Sequence, residues 1–149
     1  MLMQILAGAA GSIGFAILYN VRGRALAFAL LCGALGWTVY LLTGGRSPND
    51  LPNYLYAAMS VALYSEVLAR LLKTPVSAML TPSVIPMIPG GSLYYTMASC
   101  LRGDYADFTR RGLYTIMIAA MLALGVMSVM VVTRVYVTLH RKLAGKRIG

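Results

Sequence analysis

The chain has 149 residues, 59% of them hydrophobic and only 11% charged, with 13 Lys/Arg against 4 Asp/Glu and a formal net charge of +9. Average soluble chains carry about 25% charged residues, so this composition excludes the charged shell of a soluble globular enzyme. It excludes disorder too, which needs low hydrophobicity, and it leaves an integral membrane protein with lipid as its main solvent.

A membrane-crossing helix needs about 20 largely apolar residues. The chain offers five such stretches, at about 1–20, 25–43, 53–72, 83–101 and 112–133. The first has no positively charged region ahead of it, so it reads as a mature helix and not a signal peptide. It carries A-G-A-A-G-S-I-G from Ala7 to Gly14, with small residues four apart. The second places Ala29, Gly33 and Trp37 on one stripe, with Cys32 and Gly36 beside it. Small residues at this spacing let helix backbones approach closely where lipid supplies no hydrophobic force. Gly11, Gly14, Gly33 and Gly36 are therefore expected helix-packing positions.

The third span contains Y-S-E-V-L-A-R-L-L-K, and Glu66 is the only acid inside any predicted span. Arg70 lies four residues on, so the two can pair along one helix face. Two readings stand side by side. Glu66 is a proton-carrying group that couples transport to the proton gradient, because an ionisable residue is costly in a span and is kept for function. Or Glu66 and Arg70 form a structural ion pair that snorkels to the interface.

The fourth span holds the most informative stretch, P-S-V-I-P-M-I-P-G-G-S-L-Y-Y-T from Pro82 to Thr96. Each proline removes a backbone donor and obstructs a continuing helix. Pro86, Pro89, Gly90 and Gly91 together predict a discontinuous helix and not a mere kink. Irregular backbone at membrane depth survives only when buried in protein or lining a wet cavity. A half-helix restarting at Gly91 and Ser92 would aim free N–H groups and its dipole into the membrane interior. That geometry attracts carboxylate, and secondary transporters use such broken helices at midplane sites. The expected substrate site is therefore Pro89, Gly90, Gly91, Ser92, Tyr94, Tyr95 and Thr96, with hydroxyls that add no charge.

The fifth span leads into a basic tail. Its Arg134, Arg141, Lys142, Lys146 and Arg147 fall on the same side as Arg22, Arg24 and Lys73. The opposite side has Arg46, Arg102, Arg110 and Arg111, which are fewer. The positive-inside rule then predicts the N-terminus outside and the C-terminus in the cytoplasm. The positive charge is thus mostly topology, with the tail near anionic lipid, and nucleic acid is not an expected partner. Cys32 and Cys100 lie in apolar runs and His140 is the single histidine. No metal site or cofactor is expected. Nor is enzymatic activity, since no nucleophile–base spacing is present.

P-x-x-I-P-M-I-P-G-G-S-L-Y-Y resembles the proline/glycine signature of the threonine/serine exporter family. G-F-A-I-L-Y-N-V-R-G-R-A-L at Gly14–Leu26, G-A-L-G-W-T-V-Y at Gly33–Tyr40, S-E-V-L-A-R-L-L-K-T-P at Ser65–Pro75 and G-D-Y at Gly103–Tyr105 continue the likeness along the whole chain. More closely, the chain resembles the small five-helix subunit of the split form, the kind associated with succinate export. The resemblance implies a secondary exporter of small hydroxylated amino acids or a dicarboxylate, multi-pass in a bacterial-type inner membrane and driven by the proton gradient. It also implies a homologous five-helix partner subunit with a soluble N-terminal region. Two such halves in series must be oppositely oriented, which is a 5+5 inverted repeat. The competing expectation is a non-transporting membrane scaffold or assembly subunit of another complex.

Overall fold

A computed structural model describes residues 2–44 and 50–145 of the chain, with side chains as far as Leu139. Arg46 and the side chains of His140, Arg141, Lys142, Lys146 and Arg147 lie outside the described residues. Everything regular among the described residues is helical. Helix α1 runs Leu2–Leu18, α2 Arg24–Leu42, α3 Leu51–Leu72, α4 Ser77–Val84, α5 Gly90–Leu101 and α6 Tyr105–Gly145, with one 3₁₀ turn at Ile85–Met87. By length and composition, α2, α3 and the Tyr105–Leu139 part of α6 suit a membrane crossing, while α1 is a shorter apolar helix.

Local chemistry sets the boundaries. Gly23, at a φ of 66°, turns the chain into α2. Pro52 sits in the first turn of α3, where its missing N–H costs nothing. Lys73 closes α3 in the left-handed conformation, and Pro75 prevents continuation. Helix α6 departs from the expected fifth span of 112–133. It starts seven residues earlier because Asp104 accepts the Asp107 N–H at 3.0 Å, a side-chain cap. It also runs on beyond Thr133, since no glycine or proline interrupts 134–144. Hydropathy marks the segment suited to lipid, whereas backbone hydrogen bonding continues through Arg110, Arg111 and Arg134. At 41 residues α6 is about 60 Å long, roughly twice the hydrocarbon thickness of a bilayer.

The expected fourth span, 83–101, divides into separate pieces. Helix begins earlier, at Ser77, and α4 is short. Pro86 opens the 3₁₀ turn, and Ile88, held extended ahead of Pro89 (ψ 133°), ends it. The chain then restarts as α5.

Named contacts fix the helix directions. Gly8 lies against Trp37 and Gly33 against Ser12, so α1 and α2 are antiparallel. Tyr40 meets Asp50 while Cys32 meets Ser65, so α2 and α3 are antiparallel. Tyr114 bonds Asp50 and Gly125 faces Leu55 and Ala58, so α3 and α6 run parallel. Helix α4 packs among α1, α2 and α3, whereas α5 leans on α6. The break thus carries the chain from one set of neighbours to another.

The core contains Cys32, Tyr40, Ala57, Ala58, Val61, Met87, Ile118 and Leu122. Leu18, Leu71, Leu101 and Val132 are among many large apolar side chains left exposed. Such a surface suits lipid and not water.

The four glycines expected at helix contacts differ. A Cβ on Gly33 would collide with the Ser12 side chain and come 2.9 Å from the Gly8 carbonyl oxygen. On Gly36 it would lie 2.7 Å from Val61, and on Gly11 3.2 Å from Pro86. On Gly14 it would meet nothing within 4 Å. Gly125 is crowded too, with the Leu55 carbonyl oxygen at 2.7 Å.

Candidate functional site

The N–H groups of four successive residues, Gly90 to Leu93, determine what the break offers. Gly90 N–H bonds the Ile88 carbonyl at 2.7 Å, and Leu93 N–H bonds the Pro89 carbonyl at 2.9 Å as the first turn of α5. Between them, the N–H groups of Gly91 and Ser92 have no hydrogen-bond partner among the described residues. They are the orphan donors of a helix N-terminus. A Cβ at Gly90 or Gly91 would meet nothing within 4 Å, so the space in front of them is open.

That space is a cavity of about 350 Å³. Pro86 to Ser92 form one side, and Trp37, Tyr54, Tyr114 and Ile118 form the rest. Four of the expected site residues, Pro89, Gly90, Gly91 and Ser92, therefore come together on one cavity wall. Tyr94, Tyr95 and Thr96 do not line it. Tyr94 and Tyr95 are exposed and stack edge to face, with centroids 5.4 Å apart, and the Arg111 guanidinium lies 5.8 Å from the Tyr95 ring centre. Thr96 is buried and donates to the Ser92 carbonyl at 2.8 Å.

The hydroxyl supply is smaller than the sequence suggests. Thr115 donates to the Arg111 carbonyl, so the 2.6 Å contact between Ser92 Oγ and Thr115 Oγ1 must use the Ser92 proton. Ser92 therefore has no hydroxyl proton left for a ligand. Among the described residues, the donors left without a partner at this cavity are the backbone N–H groups of Gly91 and Ser92 and the indole N–H of Trp37.

Above the cavity sits a cluster that hydropathy gave no reason to assemble. Asp50, at the N-cap position of α3, makes no side-chain cap to its own helix. Its carboxylate instead accepts from two tyrosines: the Tyr40 hydroxyl of α2 at 2.8 Å and the Tyr114 hydroxyl of α6. The Tyr40 ring packs on Tyr54 at 4.6 Å and edge-on to Trp37 at 5.5 Å. Among the described residues no Lys or Arg forms an ion pair with Asp50. In the sequence Tyr40, Tyr54 and Tyr114 fall near the ends of the expected spans, where interfacial aromatics are common, and Asp50 falls between spans. The usable signal was an acid immediately before L-P-N-Y at a helix start.

Glu66 and Arg70 lie elsewhere. Glu66 is 8% exposed and pairs with Arg70 at 3.3 Å. The pair borders a second cavity of about 460 Å³ between α3 and α6, walled by Leu63, Val67, Leu71, Val132 and Tyr136. Twelve residues of α3 separate Glu66 from Tyr54, about 18 Å along the axis. Glu66 thus does not share the cavity at the helix break.

A third polar knot ties α5 to α6. Asp107 accepts from Ser99 at 2.6 Å, Arg110 at 2.8 Å and Arg111 at 2.5 Å. Its acceptors are satisfied within the hairpin, which holds the far end of α5 in place. No group of His, Cys, Asp and Glu among the described residues is arranged to hold a metal ion.

A family model described as "Threonine/Serine exporter, ThrE" matches residues 4–132. The match takes in most of the chain and at least part of every helix, and the chain belongs to this family of membrane transporters. No solved structure matches it.

Proposed function

We propose that this member of the threonine/serine exporter family is one subunit of a secondary-active exporter of small carboxylate-bearing metabolites, threonine and serine or a succinate-like dicarboxylate. The substrate carboxylate docks on the N–H groups of Gly91 and Ser92. The observation that carries this reading is the open cavity in front of two unpartnered helix N-terminal donors, the arrangement that binds anions in other proteins. At membrane depth, such a break is tolerated where it lines a cavity. The chain spans a bacterial-type inner membrane five times, with α4 and α5 together forming the fourth, discontinuous pass. Its N-terminus is outside and its C-terminus in the cytoplasm. A homologous five-helix partner of opposite orientation completes a 5+5 inverted repeat.

Efflux measured in host cells lacking the chain, and complemented with it, tests this directly. Complementation should restore export of labelled threonine or succinate, and a proton uncoupler should abolish it. Failure of complementation for every carboxylate offered would overturn the reading.

Orientation has its own check. A membrane-impermeant maleimide should label an Ala106→Cys chain in intact cells, above the native-cysteine background, and leave Ser77→Cys unlabelled until the membrane is opened. The reverse pattern inverts the proposed topology.

Glu66 is the proposed proton-coupling residue, supported by its burial beside one partly exposed arginine. Glu66→Gln keeps the shape and loses the titration. Efflux should persist down a substrate gradient but no longer respond to the uncoupler. Uncoupler sensitivity equal to wild type would reduce Glu66–Arg70 to a structural pair. If both Glu66→Gln and Gly91→Val left efflux untouched, the chain would be better described as a non-transporting scaffold.

A further inference from the structure

We infer that Asp50 is a specificity-determining residue: through Tyr114 it gives the cavity at the helix break a hydrogen-bond acceptor, which takes an ammonium and refuses a second carboxylate. This rests on the proposal that the substrate carboxylate docks at Gly91 and Ser92.

A tyrosine hydroxyl has a single proton. Tyr114 gives its proton to one oxygen of Asp50, and Tyr40 gives its own to the other. Tyr114 lines the cavity, so its oxygen can present only lone pairs there. Behind it stands an anion with no ion-pair partner among the described residues. On the α5 side of the same cavity the Gly91 and Ser92 N–H groups are donors at the positive end of a helix dipole. The cavity therefore carries donors on α5 and in the unpartnered indole N–H of Trp37, and at Tyr114 an acceptor oxygen backed by negative charge.

A zwitterionic amino acid matches both groups at once, carboxylate to α5 and ammonium to the Tyr114 oxygen. A dicarboxylate matches the first and sets anion against acceptor at the second. Rejection of a wrong partner by like charge and unpaired polar groups is how sites commonly discriminate. Asp50 also forgoes the N-cap bond that its position would normally supply. Its oxygens turn to helices α2 and α6, toward the cavity wall and away from its own helix end.

The test is the ratio of threonine to succinate efflux in complemented host cells, normalised to the amount of chain in the membrane. Asp50→Asn keeps the shape and removes the charge. It should lower that ratio by roughly tenfold, while Asp50→Glu keeps the wild-type ratio. Equal loss of both substrates would make Asp50 a structural clamp and overturn the inference, as would an unchanged ratio. A second measurement uses the wild-type chain and needs no variant. N-acetylthreonine keeps the carboxylate and lacks the ammonium, so it should not compete with threonine for efflux. Competition equal to that of serine overturns the inference. Gly91→Val separates the two proposals. If it abolishes export of both substrates while Asp50→Asn leaves the ratio alone, the carboxylate site stands and the role of Asp50 falls. If Asp50→Asn shifts the ratio while Gly91→Val changes nothing, the reverse holds.

Discussion

Gly91→Val should cut carboxylate efflux at least about tenfold, equivalent to ~1.4 kcal/mol of lost binding, while the chain still folds and reaches the membrane. The two halves of that expectation have separate grounds. Folding is spared because a Cβ at Gly91 meets no atom within 4 Å, so no neighbour has to move. Replacing a glycine in the first turn of α5 also removes a backbone-entropy cost of up to ~1 kcal/mol, part of which valine's stiff branched side chain gives back. Transport suffers because the new methyls occupy the cavity in front of the Gly91 and Ser92 N–H groups. Gly91→Ala, with one methyl, should fall between. Efflux per folded chain, read beside membrane abundance, decides it. A valine variant with normal export would remove the α5 N-terminus from the substrate path.

Gly125 should give the opposite result. A Cβ there stands 2.7 Å from the Leu55 carbonyl oxygen, 2.8 Å from the Ala58 Cβ and 3.2 Å from the Met59 nitrogen. Two of those atoms are backbone of α3 and cannot rotate away. Overpacking of this kind costs about 1–3 kcal/mol, so Gly125→Ala should lower the unfolding midpoint of the purified chain in detergent, and Gly125→Leu should fail to accumulate. The effect should also reach the site. Helices α3 and α6 hold Asp50 and Tyr114, and forcing them apart stretches that hydrogen bond. Gly14→Ala is the control, since nothing stands within 4 Å of a Cβ there. An alanine at 125 as stable as the one at 14 would mean that α3 and α6 are not packed this closely.

Several features of this arrangement were legible in the residues themselves. An all-helical chain follows from apolar runs of span length, and an interruption near Pro86–Gly91 follows from P-M-I-P-G-G, where prolines withdraw donors and extend the residues before them, although helix restarts at Gly90, one residue ahead of the expected Gly91. Gly33 and Gly36 carried small-residue spacing into tight contacts. The same spacing at Gly14 did not, because spacing alone cannot say which face of α1 meets a neighbour. The length of α6 was hidden for another reason. Hydropathy stops at Arg110 and Arg134, whereas helical hydrogen bonding is indifferent to charge on an exposed face. The Asp50 cluster was out of reach altogether. Its members come from α2, α3 and α6, and residues 40, 50, 54 and 114 meet only once those helices are packed. Ser92 shows the converse case, a hydroxyl plainly available in sequence whose proton is taken by Thr115.

The length of α6 has a mechanical meaning. Tyr114 and Ile118 touch the cavity at the helix break, and Val132, Thr133 and Tyr136 touch the one beside Glu66. One glycine, Gly125, lies between the two cavities, packed against the backbone of α3, and the helix is continuous through it. A stiff rod converts a twist or slide at one end into the same twist or slide at the other. A movement of α6 at one cavity thus reaches the other through a single axle, without a relay of side chains between them.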